Sequence, residues 1–422
     1  MTSNPHCPHA RECGACQHVN EPYKAQLARK DERMRDLFAE FGGAEVRAIL
    51  GMEHPYHYRN KVISPYAQGR RLGDAPRGRD GSGKGGRYGK DGRSERGAGS
   101  RQRKGTPRYE ILCGMYAAGT HRIVPTDECL VENEQAKRAI LTIRQLMPKF
   151  GIQPYNEDAG TGFLRHAVVR VGHTSGEVLV TLVTNGAEFP ASRAFCRELV
   201  KRCPFITTVV QNVNTRQTNV ILGEREQRLY GPGFILDKLC GLSFRISPQS
   251  FYQVNAVQTE VLYNTAVDLA ALSGGERAID AYCGTGTIGL VAASRGAGEV
   301  VGVDSVESAI RDARQNARHN GVKNARFVAA DAGEFMRRLA VDGERADVVL
   351  MDPPRAGSSA EFIDALAELA PTRVVYISCN PETQVRDCRL LRDRGYELRV
   401  VQPVDMFPHT DHVETVALLA RR

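Results

Sequence analysis

At 422 residues, 41% of them hydrophobic and 25% charged, the chain has the make-up of an ordinary globular protein with room for two or three domains. No window approaches the roughly 18 consecutive apolar residues of a spanning helix. Residues 1–10 carry no apolar signal core, so membrane insertion and secretion are set aside and cytoplasmic residence is expected. The net charge of +8 is concentrated: Gly69 to Gly105 holds nine Arg and three Lys against three Asp and one Glu, and the rest of the chain balances.

Cysteines come first. Cys7, Cys13 and Cys16 form a C-x5-C-x2-C group, and thiols separated by residues as small as Gly14 and Ala15 can wrap one metal centre. A fourth ligand must come from elsewhere. Spacing alone leaves zinc and iron open, and His6, His9 and His18 keep mixed ligation open. Tyr23, Leu27, Met34, Leu37, Phe38 and Phe41 then recur at helical spacing, predicting an amphipathic helix over 22–41 that Gly42 and Gly43 close. In the extended stretch beyond it, Arg59, Asn60 and Lys61 can meet RNA phosphates or edge a sheet. With twelve glycines and almost no apolar side chains, segment 69–105 cannot offset its ordering entropy. It reads as a disordered Gly/Arg-rich insert within a hairpin, able to contact phosphates through counterion release.

A helix is expected over about 132–150. An α+β pattern follows: strands over 163–171 and 177–185 joined by a turn at His173 to Gly176, a helix over 191–201, and strands over 207–214 and 218–223. After a further helix over 257–272, strands opening near 276, 299, 325, 346 and 372 alternate with helices near 287–295, 307–319, 333–341, 361–370 and 382–394. That regular alternation predicts a doubly wound, Rossmann-like α/β sheet. Two last strands, from Tyr396 and Glu414, have no helix between them and predict an antiparallel edge pair. The expected organisation is a cysteine cluster with its amphipathic helix over 1–45, a central α+β RNA-binding domain over 46–240, and the doubly wound domain over 241–422.

In such a sheet ligands bind at the carboxyl ends of the strands, and the chemistry-bearing residues fall there. Strand one runs into Asp280-Ala281-Tyr282-Cys283-Gly284-Thr285-Gly286-Thr287, a turn whose glycines let backbone amides approach a ligand. Asp304 closes strand two, where an acid can accept from both ribose hydroxyls. Gly284, Gly286 and Gly289 also satisfy G-x-G-x-x-G, so an NAD enzyme is considered. Two details favour S-adenosylmethionine: Asp331 stands after strand three, where an adenine amino group can be read, and strand four ends in Asp352-Pro353-Pro354-Arg355. A D-P-P turn gives a stiff, polar loop beside a methyl donor, as methyltransferases of planar bases use. Strand five ends in Ser378-Cys379-Asn380-Pro381, leaving a thiol on a rigid strand end with access to substrate.

Five stretches together carry a family signature: Phe251-Tyr252-Gln253-Val254-Asn255, DAYCGTGTIGL from Asp280, MDPPRAG from Met351, SCNPET from Ser378, and Phe407-Pro408-His409-Thr410-Asp411-His412-Val413-Glu414. In that order they closely resemble the RNA 5-methyluridine methyltransferases, class I S-adenosylmethionine-dependent enzymes acting on uridines of ribosomal or transfer RNA. The resemblance covers nearly all the chain outside the insert. It implies a methyl donor held by Gln253, Tyr282, Gly284, Thr287, Asp304, Asp331 and Asp352, with Thr287 departing from the asparagine of some members. The C-x5-C-x2-C triplet is similar to that of the 23S ribosomal RNA branch, whose [4Fe-4S] cluster takes one distant cysteine, and the surrounding HRIVPTDECLVEN matches that ligand to Cys129 rather than Cys113. Many members open with a small β-barrel RNA-binding module; this chain opens at the cysteines, and the Gly/Arg insert is a candidate substitute.

The resemblance implies covalent catalysis, because uracil C5 is a poor nucleophile. Cys379 is expected to add to C6 and Glu414 to remove the C5 proton, with Asp352 at the uracil edge. Cytosine methylation, which uses a second cysteine after strand four, is disfavoured by the cysteine-free DPPR loop. A transfer RNA target and a non-catalytic iron–sulfur RNA-binding protein remain the alternatives to a 23S ribosomal RNA enzyme.

Overall fold

The computed structural model describes residues 5–72 and 109–422. The N-terminal segment holds a short turn of helix, α1 (Ala10–Cys13), and the long α2 (Tyr23–Phe38), with Gln26, Lys30, Met34 and Phe38 on its buried stripe. Their four-residue spacing lines a single helix face. After β1 (Glu45–Val46) the chain enters a seven-stranded sheet. Its strands are β2 (Lys61–Arg71), β3 (Tyr109–Tyr116), β4 (Ile123–Pro125), β5 (Leu164–Val171), β6 (Val178–Thr184), β7 (Ile206–Val213) and β8 (Arg225–Tyr230), in the order β4-β3-β2-β5-β6-β7-β8. The helices α3 (Glu134–Leu146) and α4 (Ser192–Arg202) cover one face of it, burying Ala136, Ile140, Ile143, Phe195 and Leu199 against Val62, Tyr66, Val169 and Val180.

Strands β2 and β3 pair antiparallel, Tyr66 opposite Cys113, as expected for a hairpin that the insert interrupts. Gly69 to Arg71 finish β2; residues 73–105 of the insert lie outside the described residues. The expected strand over 218–223 is absent, and β8 takes its place seven residues later in antiparallel register with β7. The apolar Val220-Ile221-Leu222 run misled: Asn214 Nδ2 donates to the carbonyls of Val220 and Ile221, holding that backbone in a loop.

A hairpin of β9 (Ile235–Leu239) and β10 (Leu242–Ile246) leads into α5 (Ala256–Ala270). The second sheet then forms from β11 (Arg277–Ala281), α6 (Thr287–Ser294), β12 (Glu299–Asp304), α7 (Glu307–His319), β13 (Ala325–Ala329), α8 (Ala332–Val341), β14 (Val348–Met351), α9 (Ala360–Leu369), β15 (Arg373–Ser378), α10 (Pro381–Asp393), β16 (Tyr396–Val404) and β17 (Glu414–Arg421). Its eight strands run β1-β16-β17-β15-β14-β11-β12-β13. β17 is antiparallel to both neighbours, and β1 adds to β16 in parallel, so the expected edge pair has one short strand outside it. Along β15, Val374 and Tyr376 join the core under α2, α8, α9 and α10, while Val375 and Ile377 join the core under α5, α6 and α7. Burial on both faces is why this strand reads as a continuous apolar run. The architecture is a doubly wound, Rossmann-like sandwich with an α+β layer before it.

Candidate active site and cysteine cavity

The glycine turn after β11 is shaped by backbone conformation. Tyr282, Gly284 and Gly286 all have left-handed φ, of 62°, 52° and 77°, and a Cβ on Gly286 would lie 2.6 Å from the Phe327 ring. Asp304 locks the turn, its Oδ2 accepting from Gly284 N at 2.9 Å and its Oδ1 from Val306 N at 2.8 Å. Asn316 Nδ2 donates to Thr285 O at 3.1 Å, Thr287 opens α6, and the Tyr282 ring lies 5.0 Å from that of Phe362. Asp331 is exposed, and its Oδ1 already caps α8 by accepting from Glu334 N at 2.9 Å. Gln253 is half-buried just before α5, whose capping residue Asn255 donates to Met406 O at 2.9 Å. Sequence reasoning gave Asp280 no role. It is buried, accepts from Gly289 N at 2.8 Å, and burial raises it to about 8, with Oδ1 left unpartnered.

Cys379, Asp352 and Glu414 converge from three strand ends. Cys379 follows β15, Asp352 follows β14, and Glu414 opens β17, where Thr415 pairs with Ser378. Two loops are tied together: Asn380 Nδ2 and Thr383 Oγ1 both donate to Arg355 O, at 3.1 and 3.3 Å. Behind them Thr415 Oγ1 donates to Gln384 Oε1 at 2.6 Å, and Gln384 Nε2 to Tyr376 O at 2.8 Å. Burial raises Glu414 to about 8, helped by Asp352 and opposed by Arg355. Asp352 is raised to about 7 by the protein packed around it, although part of its surface stays open to the cleft. The half-exposed Cys379 thiol is pushed up to about 11, first by burial and then by the negative charges of Glu414 and Asp352. The site thus holds a protonated thiol beside two carboxyl groups whose protons exchange near neutral pH.

The segment from Asp405 to Glu414 is gripped by the N-terminal region. Gln26 on α2 donates through Nε2 to His409 Nδ1 at 3.2 Å and accepts His409 N at 3.0 Å. The second ring nitrogen of buried His409 lies 2.9 Å from Pro55 O, and its ring stacks on Tyr56 at 5.0 Å. Lys30 and Asp405 form a buried ion pair at 2.6 Å, and Tyr23 donates to the other Asp405 oxygen at 2.7 Å. His18, two residues past Cys16, reaches Asp411 at 2.7 Å, and Arg33 donates to Asp411 O at 2.9 Å. None of Gln26, Lys30 and Asp405 belongs to a local motif; only polar residues recurring on the buried stripe of α2 hinted at them.

Cys7, Cys13, Cys16 and Cys129 line one cavity together with His9, Arg59 and Glu132. Cys113 lies instead in the core under α3. Burial first, then neighbouring thiols, pushes Cys16 to about 12. Among the described residues no three His, Cys, Asp or Glu converge closely enough to grip a single metal ion. His18 is turned away to Glu21 and Asp411.

A class I methyltransferase is what this sheet and glycine turn define, and a methyltransferase-domain family model matches residues 272–404. An uncharacterized RNA methyltransferase of Halalkalibacterium halodurans is 39% identical over 98% of this chain and 82% of its own length. One of Caldanaerobacter subterraneus is 38% identical over 99% of this chain and 84% of its own. Among solved structures, the tRNA (uracil-54, C5)-methyltransferase of Pyrococcus abyssi, in complex with S-adenosyl-L-homocysteine, aligns with a TM-score of 0.70 and 29% identity, covering 94% of this chain and 84% of that one. The chain belongs to the S-adenosylmethionine-dependent RNA methyltransferase family.

Proposed function

We propose that this protein is an RNA uridine C5-methyltransferase working through a covalent bond between Cys379 and uracil C6, with 23S ribosomal RNA as its substrate. The observation that carries the reading is the convergence of one thiol and two raised carboxyls at the sheet edge beside the glycine turn. S-adenosylmethionine, when bound, supplies an electrophilic methyl group; Gln253, Tyr282, Gly284, Thr287, Asp304 and Asp331 are the residues that would hold it. Cys379 gives its proton to a neighbouring carboxylate, and its sulfur bonds to C6 while the ring electron pair moves onto C5 and O4. Once C5 carries the methyl group, Glu414 takes the C5 proton. The released pair restores the C5=C6 bond and the thiolate leaves. Asp352 hydrogen-bonds the uracil edge, for which a carboxyl near neutrality suits both donor and acceptor roles. The base must leave its stack to expose C6, so the target lies in a loop or bulge. Mapping 5-methyluridine in RNA from cells with and without the protein tests this: one 23S position should lose its methyl group. Loss from transfer RNA instead would reassign the substrate, the reading that the Pyrococcus abyssi neighbour favours.

Cys7, Cys13, Cys16 and Cys129 are proposed to hold a [4Fe-4S] cluster. What supports this is that the four cysteines line one cavity and that their C-x5-C-x2-C triplet with one distant cysteine is similar to the cluster-binding pattern of the 23S branch. Anaerobic purification should give a brown protein with about four irons; a colourless zinc protein would refute the assignment. We assign the cytoplasm as its compartment and residues 46–240 as the RNA-binding domain. No helix among the described residues is long and apolar enough to cross a membrane.

A further inference from the structure

On the sheet face turned away from α3, β2 and β5 set Lys61 directly opposite Arg170. Opposed residues on antiparallel strands hold their side chains about 5 Å apart, and like charges there are destabilising. Arg59, just before β2, lines the cysteine cavity instead, yet is near enough to add its positive charge to that felt by Lys61. None of the three makes an ion pair among the described residues. Arg170 is 5% exposed, and its Nε has no partner. A fold does not ordinarily retain two cations directly opposite each other without a reason beyond stability.

Their location suggests the reason. Arg170 Nη2 donates to Ser250 O at 2.6 Å and to Pro248 O at 3.3 Å, while Asn60 N donates to Val254 O at 2.8 Å. These bonds bracket the stretch that carries Phe251, 73% exposed, and Gln253. With Gln253 assigned to the methyl donor as proposed above, the cations flank the rim of the methyl-transfer cleft. Lys61 remains half-exposed, so an anion from solution can reach it.

We propose that Lys61, backed by the buried Arg170 opposite it, forms an anion site for a backbone phosphate of the substrate RNA, next to the flipped uridine. Arg170, buried and fixed by two carbonyls, supplies a stationary positive charge from behind, and Lys61 is the mobile point charge that the phosphate meets. The site separates positioning from chemistry: it holds the strand, and the residues across the cleft act on the base. Without an anion, burial and the two arginines lower Lys61 to about 8; a bound phosphate would raise it again.

This inference rests on the RNA methyltransferase reading, and its test is made without the methyl donor so that the two can fail separately. The full chain is titrated with a fluorescent stem–loop RNA at several salt concentrations. Lys61→Met, which keeps the apolar stem, should weaken binding several-fold and make the log–log salt dependence shallower by about 1; Lys61→Arg should restore most of both. Independently of any variant, RNA should protect Lys61 of the natural protein from amine acylation, and S-adenosylmethionine should not. An unchanged salt slope in Lys61→Met, acylation indifferent to RNA, or protection by S-adenosylmethionine alone would overturn the proposal.

Discussion

Cys379 illustrates why a nucleophile is read from its neighbours. At about 11 the thiol is a poor nucleophile at neutral pH, and the groups that raise it, after burial, are the carboxyls to which the proposed mechanism gives roles. Removing the Glu414 charge should therefore lower the apparent pKa for iodoacetamide alkylation of Cys379 in Glu414→Gln, read by peptide mass spectrometry against pH; no shift would mean that the charge does not reach the thiol. The same variant tests linkage. Glu414 titrates from an ordinary 4.5 when unfolded and near 8 when folded. The folded protein then binds the extra proton between those values, and stability falls as pH rises through that window. Glu414→Gln should be more stable than the natural protein at pH 8 to 9, by on the order of 1–3 kcal/mol, with the gain gone near pH 4. Denaturant melts at several pH values measure it. With RNA and methyl donor, this variant should also add to C6 but fail to release, leaving a protein–RNA band on denaturing gels. Cys379 was legible early because five motifs converge on its strand end. Asp280 was not, since a buried aspartate accepting one amide looks in sequence like part of the turn.

At the scale of elements, α2 and the segment from Asp405 to Glu414 form one unit. The Lys30–Asp405 pair is buried on both sides, and removing one partner of such a pair costs about 3–5 kcal/mol. Lys30→Met should destabilise by that order in chemical denaturation, whereas Asp36→Asn, at the exposed side of the same helix, should stay within about 0.5 kcal/mol. A cost below 1 kcal/mol for Lys30→Met would show that the grip on this segment is dispensable. Apolar period revealed α2 and each helix of the doubly wound sheet to within a few residues, because one stripe of each is buried. It failed at 218–223, where side-chain amides rather than a ladder satisfy the backbone, and it could not foresee β1, two residues that pair only because β16 offers an edge. The cross-chain bonds of Gln26, His409 and Asp405 were equally hidden, since nothing local distinguishes a polar residue with a partner more than 350 positions away.

Across the whole molecule, the cysteine-lined cavity and the candidate site of Cys379 are connected by a short path. The residues from His18 to Tyr58 link the cavity of Cys7, Cys13, Cys16 and Cys129 to the segment that ends in Glu414. The doubly wound sheet was readable from regular alternation, and the catalytic edge from its motifs; the cation face of β2 and β5 emerged only once strand register was known. The most direct test of the account is to incubate the protein with 5-fluorouridine-substituted RNA and S-adenosylmethionine, digest it, and sequence the cross-linked peptide by mass spectrometry. A methylated fluorouridine adduct on Cys379 is the predicted result. Methyl transfer to RNA with no adduct, or an adduct on another cysteine, would contradict it.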